Sequence, residues 1–303
     1  PANAADVTFS GQYRLRGEYR NNSDYNDDAL VGDSTNFWGQ RVRFTADAKA
    51  TDDTSVKITL QDTRTWGVAN QSTDDGSGAT LDNTVDLHES YLNVKSIFGS
   101  PINLRVGRQE LAYGGERLIS PGDWSNNARS FDAIKFMYST ADVNVDVFTS
   151  KITERGTSGA ADDSDHDFCG IYASLKMIPN NLLDLYVLHN NNLTGTAPQN
   201  LYTLGARLKG SIAGLDYIAE LPYQSGENTD TVDRQGWAFT ADLGYNVPSA
   251  PLRIGAGVDF ATGDDTGTAD ENEAFNPLYA TTHGVLGFGD VTGYEGDGVG
   301  HKF

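Results

Sequence analysis

From Val7 to Arg20 the chain alternates strictly between apolar and polar positions. Phe9, Gly11, Tyr13, Leu15, Gly17 and Tyr19 share one face of an extended backbone, and Ser10, Gln12, Arg14, Arg16, Glu18 and Arg20 share the other. Wound as a helix, the same residues would scatter arginines and aromatics around the whole circumference, so the period of two predicts a strand. The pattern recurs. Val42, Phe44, Ala46 and Ala48 oppose Arg41, Arg43, Thr45 and Asp47; Val56, Ile58 and Leu60 oppose Lys57, Thr59 and Gln61. Further segments follow at 86–97, 102–112, 131–140, 143–154, 168–178, 182–190, 201–212, 215–225, 235–247 and 251–262, and a further one begins near Gly284.

The connections carry a second pattern. Long stretches (21–36, 67–84, 113–130, 155–167, 191–200, 226–234, 263–283) alternate with short ones (50–54, 98–101, 140–142, 178–181, 213–214, 248–250). Antiparallel strands joined in this way have tight turns on one rim and long loops on the other, the asymmetry of barrels with periplasmic turns and extracellular loops. A water-soluble sandwich is the competing fold. Segments of about 10–14 residues are long for a sandwich but suit a tilted crossing of hydrocarbon. The apolar rows also end in aromatics such as Tyr19, Trp38, Tyr223, Trp237 and Tyr245, as an interfacial girdle does. The expectation is an all-β, transmembrane, antiparallel up-and-down barrel of about 14 strands, a single domain over residues 1–303 located in a bacterial outer membrane.

Composition narrows the function. The 303 residues carry a formal charge of -20, which repels backbone phosphates and argues against nucleic acid as a partner. No run of 18 apolar residues exists, so a membrane helix is excluded while membrane strands are not. The acids gather in the long connections, among them Asp24, Asp27, Asp28, Asp264 and Asp265, and so face outward from the cell. Asp162, Asp163, Asp165 and Asp167 are weak candidates for loosely bound Ca2+, although their run is not a twelve-residue calcium loop. Cys169, the single cysteine, reads as a small buried hydrophobe. Ala2-Asn3-Ala4 has the small-x-small form that precedes a signal cleavage site. The five histidines have no H-x-x-x-H spacing, and Ser120 and Ser125 have no recognisable histidine beside them, so no enzyme is expected.

With the apolar rows facing lipid, the opposite rows face the lumen. They bring Arg14, Arg16, Arg41, Arg43, Arg105, Arg207 and Arg253 inward, with Arg14, Arg16, Arg41 and Arg43 at similar height on neighbouring strands. Two readings stand: a cationic pore that draws anions, or charges paired across strands in a wet interior. Arg105 and Arg108 have opposite parity, and Asp62 and Arg64 share the lipid-facing parity of Leu60. A bulge, or a position beyond the hydrocarbon, accounts for either case. The connection from Tyr113 to Arg129, with Arg117, Asp123, Trp124 and Arg129, either folds inward to narrow the pore or caps the outside.

The runs YRLRGEYR at 13–20, ITLQDTRTWG at 58–67, LHESYLNV at 87–94, LRVGRQELAYGGERLISPGDWSNNARSFDAIKF at 104–136 and FNPLYATTHG at 275–284 resemble the alginate-export family of outer-membrane channels. The resemblance implies a monomeric barrel of eighteen strands, a positively charged pore for an anionic polysaccharide or small anionic solutes, and an internal constriction loop. It makes Arg14, Arg105, Arg108, Arg117 and Arg129 candidate pore residues, with Asp123 and Trp124 organising the inward loop. About fourteen strands against eighteen implies a chain incomplete at its C-terminal end or a shorter barrel. The implied partners are outer-membrane lipid, lipopolysaccharide and anionic solutes, with a periplasmic or surface protein partner left open. The alternative function is a structural or adhesive barrel whose acidic loops bind divalent cations, lipopolysaccharide or a protein.

Overall fold

The computed structural model describes residues 6–21, 34–67, 85–154, 165–193, 199–229, 231–265, 267–281, 283–284, 292–294 and 299–301. Thirteen strands follow one another in a single antiparallel sheet. They are β1 (Asp6–Asn21), β2 (Ser34–Lys49), β3 (Thr54–Thr65), β4 (Asp86–Val94), β5 (Ile102–Gln109), β6 (Phe131–Ser139) and β7 (Val143–Thr153). The remainder are β8 (His166–Leu175), β9 (Asn181–Asn192), β10 (Gln199–Ile212), β11 (Leu215–Thr229), β12 (Val232–Val247) and β13 (Leu252–Ala261). Each pairs with its neighbours in sequence, the up-and-down order expected of a barrel wall. The two-residue β14 (Glu271–Asn272) lies parallel to β12, and β15 (Thr292–Tyr294) pairs with β16 (Val299–His301). The further strand expected from Gly284 onward falls mostly outside the described residues.

One connection differs from expectation. The stretch 226–234 reads as a long loop because Gly226, Glu227, Asn228 and Thr229 are polar and carry no alternation. In the structure β11 continues to Thr229 and β12 starts at Val232, with Glu227 still opposite Asp233. Ladder pairing here outlasts the hydrophobic pattern, because strands that rise above the lipid lose the need for an apolar face.

The faces are inverted relative to a soluble sheet. Phe9, Tyr13, Leu204 and Ile254 are each more than 60% exposed on the outer row, while Arg41, Gln109 and Gln224 are 0% exposed on the inner one. Tyr19, Trp38, Tyr223, Trp237 and Tyr245 are all exposed, as a girdle requires. Two glycines on the inner face act as notches. A Cβ on Gly205 would lie 2.4 Å from the Tyr186 ring, and one on Gly244 would collide with the Arg253 guanidinium. Tyr186 and Arg253 therefore lie flat across a whole strand, reaching Glu220 (3.0 Å) and Asp216 (3.1 Å from Nε) two strands away.

The apolar side chains are not confined to the lipid face. Phe131, Phe148, Phe168, Tyr172, Tyr186 and Leu188 point inward from β6–β9 and form a buried cluster with Leu111, Leu118, Ile119 and Phe275. Leu111, Leu118, Ile119 and Phe275 come from connections rather than strands, so the lumen on this side is filled by chain folded in from the long-loop rim. In β3 the parity is unbroken against β2, and the register shift against β4 between Thr59 and Leu60 skips His88 on the β4 side. Asp62 and Arg64 sit on the outer row and pair with each other at 2.8 Å.

Candidate functional site

The 110–130 connection between β5 and β6 folds into the sheet's concave side, the inward option of the sequence reading. It runs in irregular backbone, so its carbonyls need donors, and the inner wall supplies them. Arg14 donates to the Asp123 carbonyl at 2.6 Å and the Ser125 carbonyl at 2.7 Å. Arg41, wholly buried, donates to the Asp123 carboxylate at 3.0 Å and to Gln12 at 3.1 Å. Arg43 lies 3.1 Å from the same carboxylate and 3.5 Å from Glu110. Arg16 donates to the Trp124 carbonyl, and its guanidinium stands 4.4 Å over the indole. Gln61 adds a bond to the Asn127 carbonyl at 2.7 Å.

The electrostatics follow. Burial pushes the Asp123 carboxyl up, but the hydrogen bond from Arg41 and the charges of Arg41, Arg43 and Arg14 outweigh it and hold it below the ordinary carboxylate range. Glu110 is likewise raised by burial and lowered by more through its contacts with His88 and Arg43. Two arginines thus grip one half-exposed carboxylate while two more hold the carbonyls of Asp123 and Trp124 beside it.

A second segment, 271–281, folds inward beside the first. Phe275 and Ala274 pack against Gly236, where a Cβ would lie 2.9 Å from the Phe275 backbone. Gln224 clamps Asn276 by accepting from its N–H at 2.7 Å and donating to its carbonyl at 2.6 Å. The two inward segments join along a parallel bridge between Ile119 and Tyr279. Ser120 N–H donates to the Tyr279 carbonyl, Tyr279 N–H to Leu118 and Thr281 N–H to Glu116. Arg129 ties them again through the Ser120 and Tyr279 carbonyls at 3.1 and 2.8 Å. At the far side Arg117 reaches Asp259 on β13 at 2.5 Å. Together they form a plug that spans from β1–β2 to β12–β13. A cavity of about 530 Å3 opens at its edge, lined in part by Arg14, Asp123, Trp124, Glu116 and His283.

The predicted residues therefore separate. Arg14, Arg16, Arg41 and Arg43 come together with Asp123 and Trp124, and Arg117 and Arg129 brace the plug. Arg105 faces inward apart from them, hydrogen-bonded to Asn93 at 2.8 Å and lying 4.3 Å over Tyr91. Arg207 is on the inner wall but buried beneath Gly114 and Gly115, in an ion pair with Asp184 at 3.1 Å. Arg253 is inward and paired with Asp216. Arg108 is a correction: it shares the outer row of Val106 and pairs with Asp132 at 2.9 Å, so it does not line the pore. Its parity opposite to Arg105 was the signal. Asp162 and Asp163 lie outside the described residues, while Asp165 and Asp167 bind Lys151 at 2.8 and 2.9 Å. Among the described residues no three acidic, histidine or cysteine side chains gather as a metal site. The segment 271–281 was missed as a site element, although the run at 275–284 marked it as distinctive.

One histidine does meet a serine and an acid. His88 lies 3.1 Å from Ser130 Oγ and 2.7 Å from Glu110. The Ser130 hydroxyl, however, donates to the His88 carbonyl, and the group sits buried at the root of the plug, where it anchors the loop.

The family described as alginate export matches residues 5–296. The chain belongs to the alginate export family. It is an outer-membrane β-barrel. Among solved structures it is similar to Pseudomonas aeruginosa OccK9 (OpdG), with TM-score 0.55, 14% identity, and 87% of this chain and 69% of that one covered. An anion-selective porin from Comamonas acidovorans gives TM-score 0.53 at 12% identity, covering 86% and 79%. Pseudomonas aeruginosa OccD3 (OpdP) gives TM-score 0.52 at 12% identity, covering 86% of this chain; the chain spans 58% of OccD3's length. At these identities the likeness establishes the fold. No curated protein sequence matches this chain at a significant level.

Proposed function

We propose that this channel passes anionic solutes, small or polymeric, past a cationic eyelet built by Arg14, Arg16, Arg41 and Arg43 at the edge of the two-segment plug. The observation that carries this reading is the gathering of four guanidinium groups around Asp123 and Trp124: Arg41 and Arg43 hold the Asp123 carboxylate, Arg14 and Arg16 hold the Asp123 and Trp124 carbonyls, and Arg14 lines the cavity. Fixed cations in a narrow, low-dielectric passage raise the local concentration of anions and repel cations. The family's alginate export description and the anion-selective porin among its structural neighbours agree with that chemistry. The paired arginines elsewhere serve differently: Arg207 and Arg253 hold the wall together, and only the β1–β2 group acts on solutes.

Reversal potentials in a planar bilayer under a salt gradient test the proposal. Anion-over-cation permeability that falls when Arg14 and Arg16 are both replaced by glutamine is expected. Cation selectivity in the unsubstituted protein, or selectivity indifferent to both replacements, would overturn it. Block by an acidic oligosaccharide, but not by a neutral one of equal length, is the matching expectation for a polymeric solute.

A further inference from the structure

The outer face carries an asymmetry that the pore does not use. Asp62, Lys151 and Asp167 lie on the outer row, each eight residues along from the turn-side end of its strand, at Thr54, Val143 and Leu175. Leu204, Tyr223 and Phe260 occupy the same outer row, also eight residues along, counted from Ile212, Leu215 and Leu252. On one arc of the wall this level is charged; on the other it is apolar and 47–61% exposed.

The charged arc is an ordered ladder. Arg108 faces Asp132 in register, Asp132 faces Lys151, and Lys151 faces Asp167, on four consecutive strands with alternating sign. Contacts of 2.9 Å join Arg108 to Asp132 and Lys151 to Asp167. The same strands present Val147 and Ile171 outward nearer the turn rim, at 41% and 50% exposure, so the ladder ends an apolar band rather than replacing it. Charges facing hydrocarbon near the bilayer midplane of a barrel are strongly disfavoured, arginine and lysine more than the acids, and the cost fades only toward the interfaces. Polar rows on β10–β12 begin two to four residues later, at Asn200, Ser225 and Gln235. That offset amounts to about 5–10 Å of height for tilted strands.

We propose that the hydrocarbon boundary on the long-loop side is not level around the wall: polar lipid headgroups meet β5–β8 at the Arg108–Asp132–Lys151–Asp167 row, while acyl chains cover the equivalent row of β10–β13. A tilted barrel or a locally thinned bilayer produces this boundary, and both bring the headgroup layer to the strand ends from which the 110–130 segment departs. The inference stands on the barrel alone and is independent of what the pore carries.

Depth profiling by spin-label power saturation tests it. In a Cys169→Ala background, single cysteines replace Asp132, Asp167, Leu204 or Tyr223, with Val147→Cys and Ile171→Cys as hydrocarbon markers. Each protein is reconstituted in phospholipid vesicles and checked for β-sheet circular dichroism. Labels at 132 and 167 are expected to relax with the aqueous nickel reagent, and labels at 204 and 223 with oxygen, with accessibility ratios several-fold apart. Oxygen preference at all four positions, or nickel preference at all four, would establish a level boundary and overturn the proposal. Protection of 132 and 167 from both reagents would overturn it in favour of a protein-covered face, such as a second copy of the chain.

Discussion

The buried guanidinium of Arg41 donates at 3.0 Å to the carboxylate of Asp123, which lies 82 residues further along the chain and belongs to an element with no regular structure of its own. The arginine has no solvent to fall back on, and the loop has no ladder. Each supplies what the other lacks, so the position of the constriction is set by the wall rather than by the loop.

Removing that carboxylate weakens docking. Asp123→Ala is expected to destabilise the inward conformation by about 1.5–3 kcal/mol, the range for hydrogen bonds to charged groups. Single-channel recordings read it as larger or noisier conductance. Asp123→Asn keeps part of the hydrogen bonding while deleting the carboxylate that Arg41 and Arg43 share, and its expected effect is stronger anion selectivity with a smaller conductance change.

Acid is expected to undock the loop. Asp123 and Glu110 have native values below their ordinary 3.8 and 4.5, so the stabilisation they add is complete above those values and lost as pH falls through the depressed ones. Conductance measured from pH 8 to 5 stays constant, and opening begins below about pH 4. The pH step should shrink in Asp123→Asn; an undiminished step in that variant would assign it elsewhere.

Gly114 has φ +59, and a Cβ there would lie 2.7 Å from the Tyr172 hydroxyl and 3.2 Å from Arg207 Cδ. Gly114→Val combines left-handed strain with that collision, each worth about 1–3 kcal/mol. Limited proteolysis within 113–130 should accelerate, while the barrel's resistance to denaturant stays close to that of the parent protein.

The second segment is expected to behave as a separable part. Phe275 is 2% exposed within the inner cluster, and Phe275→Ala should cost about 3–5 kcal/mol of its docking. A disulfide engineered between positions 119 and 279, which form the bridge between the two segments, should form readily in the parent and slowly in Phe275→Ala.

Much of the wall was legible because a period of two needs only one buried face, and the lipid keeps that face apolar from Phe9 to Phe260. The legible part of the site was the parity of Arg14, Arg16, Arg41 and Arg43, which needs no register. What parity could not give was the filling. Phe148, Phe168 and Tyr172 occupy polar-phase positions because the plug lies against them, and nothing local in β7 or β8 announces a segment arriving from residues 111–119 and 275. Arg108 misleads for the complementary reason: it sits on the outer row in an ion pair with Asp132, and toward the long-loop rim an outward charge no longer reports the lumen.

The bridge between Ile119 and Tyr279 has a consequence for assembly. A hydrogen-bonded contact across so much sequence cannot form until β6 to β13 are in place, since the wall between them sets the distance that the two segments must close. The constriction is therefore among the last features the chain completes. A partly built wall holds its arginines without the segment they are meant to grip, and the narrow passage is a product of the finished sheet rather than a template for it.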